Sequence, residues 1–212
     1  MQDSSLLHQI GQKGIDKQEI ADKVADDPEL VLEVLGGLRA KKASVRYGCA
    51  KVLRMISEKR PSALYPHINS FIDLLDSENN IMKWEGIYVL GNLAAVDTEN
   101  KIDGILAKYL QPIPGPVLIT AANVIGGAAK IASAKPYLAE RITAEVLKVE
   151  HAEYQTAECR NVALGQAIDA FDEFFEHIES KQPVIELIKR QLVNTRSSTR
   201  KRAENVLKKR KY

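Results

Sequence analysis

The sequence predicts an all-α chain built from stacked helical hairpins. Three observations carry that expectation: a degenerate motif returning every 35 to 42 residues, apolar residues spaced by three and four between its copies, and no sustained strand alternation. A period of this length marks a two-helix unit that cannot cover its own apolar stripe and has to lean on its neighbours.

The chain opens with two irregular helices, expected within residues 1–39. Asp16 followed by Glu19 has the spacing of a capping box, and Asp27-Pro28 starts a helix running through Leu38. The first copy of the motif places Arg46 ahead of Ala50, Leu53 and Ile56, small or apolar residues four, seven and ten positions later. The same offsets run from Lys83 to Ile87, Leu90 and Leu93, from Leu118 to Ala122, Ile125 and Ala128, and from Arg160 to Leu164, Ala167 and Ala170. A weaker copy begins near Arg200.

Each motif helix is followed by a second amphipathic one. Its stripes are Leu64, Ile68, Phe71, Ile72 and Leu75; Ile102, Ile105, Leu106, Tyr109 and Leu110; Leu138, Ile142, Val146 and Val149; and Val184, Leu187, Ile188 and Leu192. Pro61, Pro136 and Pro183 are expected to start three of these second helices, where a missing N–H is harmless. Gln111 to Pro116, with three prolines and a glycine, reads as a rigid loop from which Pro116 opens the next helix. From Ser198 to Arg210 only Ala203, Val206 and Leu207 form an apolar strip, the pattern of a terminal cap with one wet face. The reading is one domain over residues 1–212, with irregular helices to 39, four helical pairs over 40–195 and a basic capping helix over 196–212.

Composition agrees. Apolar residues make up 45% of the chain and charged residues 27%, a balance that folds rather than stays disordered. Cys49 and Cys159 lie far apart, each on helical apolar spacing and without a CxxC neighbour, so both are expected to be buried free thiols in a reducing, cytoplasmic setting. Met1 to Ile10 lacks the basic start and apolar run of a secretory signal. The apolar stretch Val117 to Ala129 is broken by Thr120, Asn123 and two glycines, which argues against a membrane span.

At Val45-Arg46-Tyr47-Gly48-Cys49-Ala50-Lys51-Val52-Leu53, and again at Lys83-Trp84-Glu85-Gly86-Ile87-Tyr88-Val89-Leu90-Gly91-Asn92-Leu93-Ala94, the chain resembles HEAT repeats within the broader armadillo-like group. The resemblance extends over residues 40 to 210. It departs from the usual pattern at Leu118, which is not basic, and after Arg160, where the helix is expected to run on to about Glu179. The resemblance implies a right-handed α-α superhelix of about five hairpins, its first helices convex and its second helices lining a concave face. Most such proteins bind other proteins there and some bind nucleic acid. The implied function is a non-catalytic scaffold or adaptor for a protein partner, without a cofactor. Helical phase offers His67, Lys101, Lys108, Tyr137, Arg141, Lys148 and Lys189 as exposed positions of the second helices.

Enzymatic readings find little support in the residues. The four histidines, His8, His67, His151 and His177, have no metal-ligand spacing, and the His-Glu dipeptides of di-iron HEAT-like enzymes do not occur. HEAT-like glycosylases are expected to use a wall of tryptophans beside a carboxylate, whereas Trp84 next to Glu85 is the lone tryptophan. Gly36-Gly37, Gly91 and Gly126-Gly127 lack the strand and the Lys-Ser/Thr of a phosphate loop and are read as helix-crossing points. No GxSxG nucleophile motif occurs.

Charge is the most informative feature. From Lys189 to Tyr212 the chain carries +9, leaving −7 on residues 1–188. The cluster Arg190, Arg196, Arg200, Lys201, Arg202, Lys208, Lys209, Arg210 and Lys211 has two readings: a solvated cap, or a patch for non-specific nucleic-acid binding. Its counterpart is the acidic set Asp169, Asp172, Glu173, Glu176 and Glu179, which reads as a wet helix face or as a ridge able to meet a basic end by self-association.

Overall fold

The structure, a computed structural model, describes residues 5–212, so the first four residues of the segment read for a secretory signal lie outside it. Among the described residues there are 12 α-helices and no strand, and 78% of those residues are helical. The all-α expectation holds. Contacts divide the chain into two compact units, one ending at Lys101 and one running from Ile102 to Tyr212.

The first unit contains α1 (Ser5–Ile10), α2 (Lys17–Ala25), α3 (Pro28–Gly37), α4 (Ala43–Lys59), α5 (Ile68–Leu74) and α6 (Asn80–Leu93). The second is built from α7 (Lys101–Leu110), α8 (Leu118–Ala134), α9 (Ala139–Leu147), α10 (Ala157–Phe174), α11 (Lys181–Arg190) and α12 (Ser197–Arg210). Long and short helices alternate from α3 onward. In the first unit α4 packs against α6, with α5 on α6 and α2 and α3 on α4. In the second, α10 lies between α8 and α12, while α9 touches α8, α10 and α11, and α11 touches α12.

The motif residues explain this layering. Arg46, Lys83, Arg160 and Arg200 are each the fourth residue of a long helix. The fourth residue of α8 is Ala121, so the copy read from Leu118 starts three residues early. Counted from Ala121, the offsets four, seven and ten fall on Ile125, Ala128 and Ile131, all fully buried, and the period becomes regular. Ala121 hides the register because it carries no charge. The basic residue acts locally. The Arg46 guanidinium donates to the Ala40 carbonyl at 2.9 Å, and that of Arg200 donates to the carbonyls of Asn194 and Thr195 at 2.6 and 3.0 Å. Both hold the turn that leads into their own helix, satisfying carbonyls left open there.

Asp16, Asp27, Asn79 and Thr156 cap α2, α3, α6 and α10 by accepting hydrogen bonds from first-turn N–H groups. The expected starts at proline are met more loosely. Pro61 begins the first of two 3₁₀ turns ahead of α5, Pro136 begins the one ahead of α9, and Pro183 is the third residue of α11. Pro116 does not open α8; Val117 is its N-cap and Leu118 its first residue. The loop before it is tied to a later segment, for the Glu153 N–H donates to the Pro114 carbonyl at 3.1 Å and the Tyr154 hydroxyl to that of Ile113. Gly115 is required there: its φ is 110°, and a Cβ would sit 2.5 Å from the Glu153 carbonyl oxygen.

Two further expectations are corrected. The helix following Arg160 stops at Phe174 rather than near Glu179, passing through a 3₁₀ turn at Phe175–His177 to an extended Ile178. Beyond that break the Glu140 carboxylate on α9 accepts the N–H groups of Glu179 and Ser180 at 2.6 and 3.0 Å, holding the turn that enters α11. Cys49 is buried as expected, but Cys159 is only half-buried, in the first turn of α10.

Close helix approach is set by glycine. A Cβ on Gly48 of α4 would lie 2.7 Å from Ile10 Cγ2 and 2.8 Å from the Ile10 carbonyl oxygen. Gly48→Val is therefore expected to cost about 1–3 kcal/mol by overpacking, read as a lower urea midpoint at unchanged slope.

Candidate partner-binding face

The outward surface of the short helices α7, α9 and α11 is cut by two clefts, one lined by Ala107 and the other by Ala144. Gly104, Ala107 and Ala144 are exposed. Between α7 and α9 a cleft of about 300 Å³ is floored by Ala107, Leu110 and Pro114 and rimmed by Arg141, Glu145 and Lys148. Between α9 and α11 a second, of about 310 Å³, is bordered by Ala144, Leu147, Pro183, Glu186 and Arg190. Lys148 lines both. In the first unit a comparable cleft of about 460 Å³ lies between α3 and α5, with Leu32, Leu35, Leu38 and Leu74 beside Arg39, His67 and Asp73.

The structure distributes the positions expected of the second helices as follows. Arg141 and Lys148 line clefts; Lys108 and Lys189 are exposed on the flanking α7 and α11. His67 is half-buried in the first unit's cleft. Lys101 is tied down, its ammonium 3.1 Å from Glu99 and 5.8 Å from the Tyr65 ring centre. Tyr137 is 65% exposed, yet its hydroxyl takes a hydrogen bond from buried Lys135 at 3.0 Å and donates to Asp103 at 3.3 Å. Sequence reasoning selected the charged rim and missed the floor. Ala107 and Ala144 were the available signal, small residues at outward-facing helical positions.

The basic C-terminal cluster is largely used inside the second unit. Arg190 grips Glu150 with two bonds of 2.6 and 2.8 Å, an interaction that holds the Glu150 carboxyl below its ordinary range although partial burial opposes it. Arg196 pairs with Glu158, and Arg202 with Asp169 at 2.6 Å. Lys209 and Arg210 meet on Asp172 at 2.7 and 2.8 Å, and Arg210 also pairs with Glu176 and lies 4.7 Å over the Phe175 ring. Burial disfavours the Asp172 carboxylate, but its bonds to Lys209 and Arg210 prevail and hold its pKa below the usual value. Asp169 goes the other way, raised by burial against the pull of Arg202. Lys201, Lys208 and Lys211 are exposed without a charged partner among the described residues. Three acids of the ridge, Asp169, Asp172 and Glu176, thus serve as the seat of α12.

Among the described residues no group of three or more His, Cys, Asp or Glu is placed to hold a metal ion, and no helix is long and apolar enough to cross a membrane.

No family model matches the chain, and no curated protein matches it. Solved structures do. A designed armadillo repeat protein matches with a TM-score of 0.57 and 14% identity, over 96% of this chain and 97% of that one. A second designed armadillo repeat protein, solved in complex with the peptide (KR)4, matches with a TM-score of 0.53 and 14% identity over the same shares. An engineered protein matches with a TM-score of 0.56 and 16% identity over 97% of this chain and 95% of that one. The fold is an armadillo/HEAT-like helical repeat.

Proposed function

We propose that this armadillo/HEAT-like chain is a non-catalytic scaffold that binds a segment of another protein across the α7, α9 and α11 surface. The observation that carries the reading is the pair of clefts with apolar floors and charged rims, repeated from one short helix to the next. Repetition suits an extended ligand: successive helices spaced by about 9 Å offer equivalent footholds to a strand that advances about 3.3 Å per residue. The peptide-bound designed armadillo repeat protein lends support from fold alone.

The competing reading, non-specific nucleic-acid binding by the basic end, is weakened by the ion pairs that occupy Arg190, Arg196, Arg202, Lys209 and Arg210. Phosphate contact would have to break pairs already made.

Panning a displayed peptide library on the intact chain tests the reading. Recovered peptides are expected to lose affinity by at least about tenfold for the Ala107→Trp, Ala144→Trp double variant, whose indoles fill the clefts from exposed positions, with circular dichroism unchanged. Peptides that bind the variant as tightly as the parent would remove this surface from the claim.

A further inference from the structure

The charges on this surface point to the chemistry of its occupant, and the step rests on the scaffold reading above. Acids and bases both rim the clefts, but they are not equally available. Glu145 is taken by Lys148 at 2.7 Å, and Glu150 by the two-point grip of Arg190. Glu186 accepts from the Gln182 side chain at 2.9 Å. Arg141 rims the α7–α9 cleft, and Lys189 stands beside Arg190 on α11; both are exposed and neither has a carboxylate partner among the described residues. A neutral amide leaves the charge of Glu186 in place, so Arg141 and Lys189 stand against one unpaired acid and the surplus on this face is cationic.

We infer that the clefts take an acidic, extended segment of a partner protein, with Glu or Asp carboxylates meeting Arg141 and Lys189 and small apolar side chains resting on Ala107, Leu110, Ala144 and Leu147. Arg141 supplies the stronger recognition, since a guanidinium can take a carboxylate with two parallel bonds. The apolar floor favours a peptide over a nucleic acid, because Ala107, Leu110, Ala144 and Leu147 can cover apolar side chains but offer a phosphate backbone nothing. This chain should therefore prefer the charge opposite to that of the (KR)4 peptide held by its designed fold relative. Spanning α7, α9 and α11 takes two interhelical steps, or about six extended residues.

The test is fluorescence anisotropy on the intact chain with a labelled peptide of about eight residues, two Glu to each Leu, against the same peptide with Lys for Glu. The acidic peptide is expected to bind at least about tenfold tighter, to weaken between about 50 and about 300 mM salt, and to lose about tenfold or more on Arg141→Glu with Lys189→Glu. Tighter binding of the lysine peptide overturns the inference and leaves the scaffold reading standing. Displacement of the acidic peptide by a short DNA duplex overturns it in favour of nucleic acid. Binding of neither peptide, or binding indifferent to both the charge reversals and the tryptophan variant, overturns the inference and the scaffold reading together.

Discussion

Phe171→Ala is expected to lose about 3–5 kcal/mol of stability, more than any other single substitution proposed for this chain. Its side chain is fully buried on α10, the helix that lies between α8 and α12, and its ring centre is 6.0 Å from that of Phe174. Removing the ring loses the transfer energy of the aromatic carbons and leaves a hole that two flanking helices cannot both close. A repeat protein transmits such a loss to its neighbours, since each hairpin owes its cover to the next. Urea unfolding followed by circular dichroism reads the change. Leu192→Ala, at a position 39% exposed, is the comparison and should cost about 1 kcal/mol or less. Equal midpoints for the two variants would contradict the packing described for α10.

The second large effect is expected at Asp172. Its side chain is 21% exposed, that of Arg210 is 15% exposed, and Arg210 also donates to the Asp172 carbonyl at 2.7 Å. Asp172→Ala leaves a partly buried guanidinium without its main partner and releases Lys209, an expected loss of about 2–3 kcal/mol, below the range for a fully buried pair. The pH dependence carries the same sign. A carboxyl with a depressed native pKa adds stability that is present above the unfolded pKa of about 3.9 and fades as pH falls through the native value. The parent should therefore lose more thermal stability than Asp172→Ala on acidification from about pH 6 to about pH 3. Triple replacement of Lys201, Lys208 and Lys211 by Glu, all exposed, should leave the melting temperature near the parent's. An Asp172→Ala protein as stable as the parent would return the basic cluster to the status of a free patch.

That cluster illustrates how far sequence reasoning reaches. The +9 tail and the acidic stretch from Asp169 were both visible as charge runs, but a run does not say what it faces. Asp172 meets Lys209 and Arg210 across an interval of nearly one repeat period, a pairing that only the stacking of α12 on α10 creates. The fold class was legible because burial repeats with the helix period: the residues four, seven and ten after Arg46, Lys83 and Arg160 are all core. The α8 register was not, since Ala121 lacks the charge that marks the other copies. Turns held by distant partners were equally hidden; nothing near Glu179 announces that Glu140, 39 residues earlier, accepts its N–H. At the candidate site the charged rim stood out by residue type, whereas the clefts are lined by exposed Ala107 and Ala144, whose small size matters only once neighbouring helices are in place.

Hydrogen–deuterium exchange of the intact chain, with and without a selected peptide, addresses the central claim most directly. Protection is predicted over residues 103–111, 139–151 and 181–190, the α7, α9 and α11 surface. Protection confined to the long helices α4, α6, α8, α10 and α12, with those three segments unchanged, would contradict it.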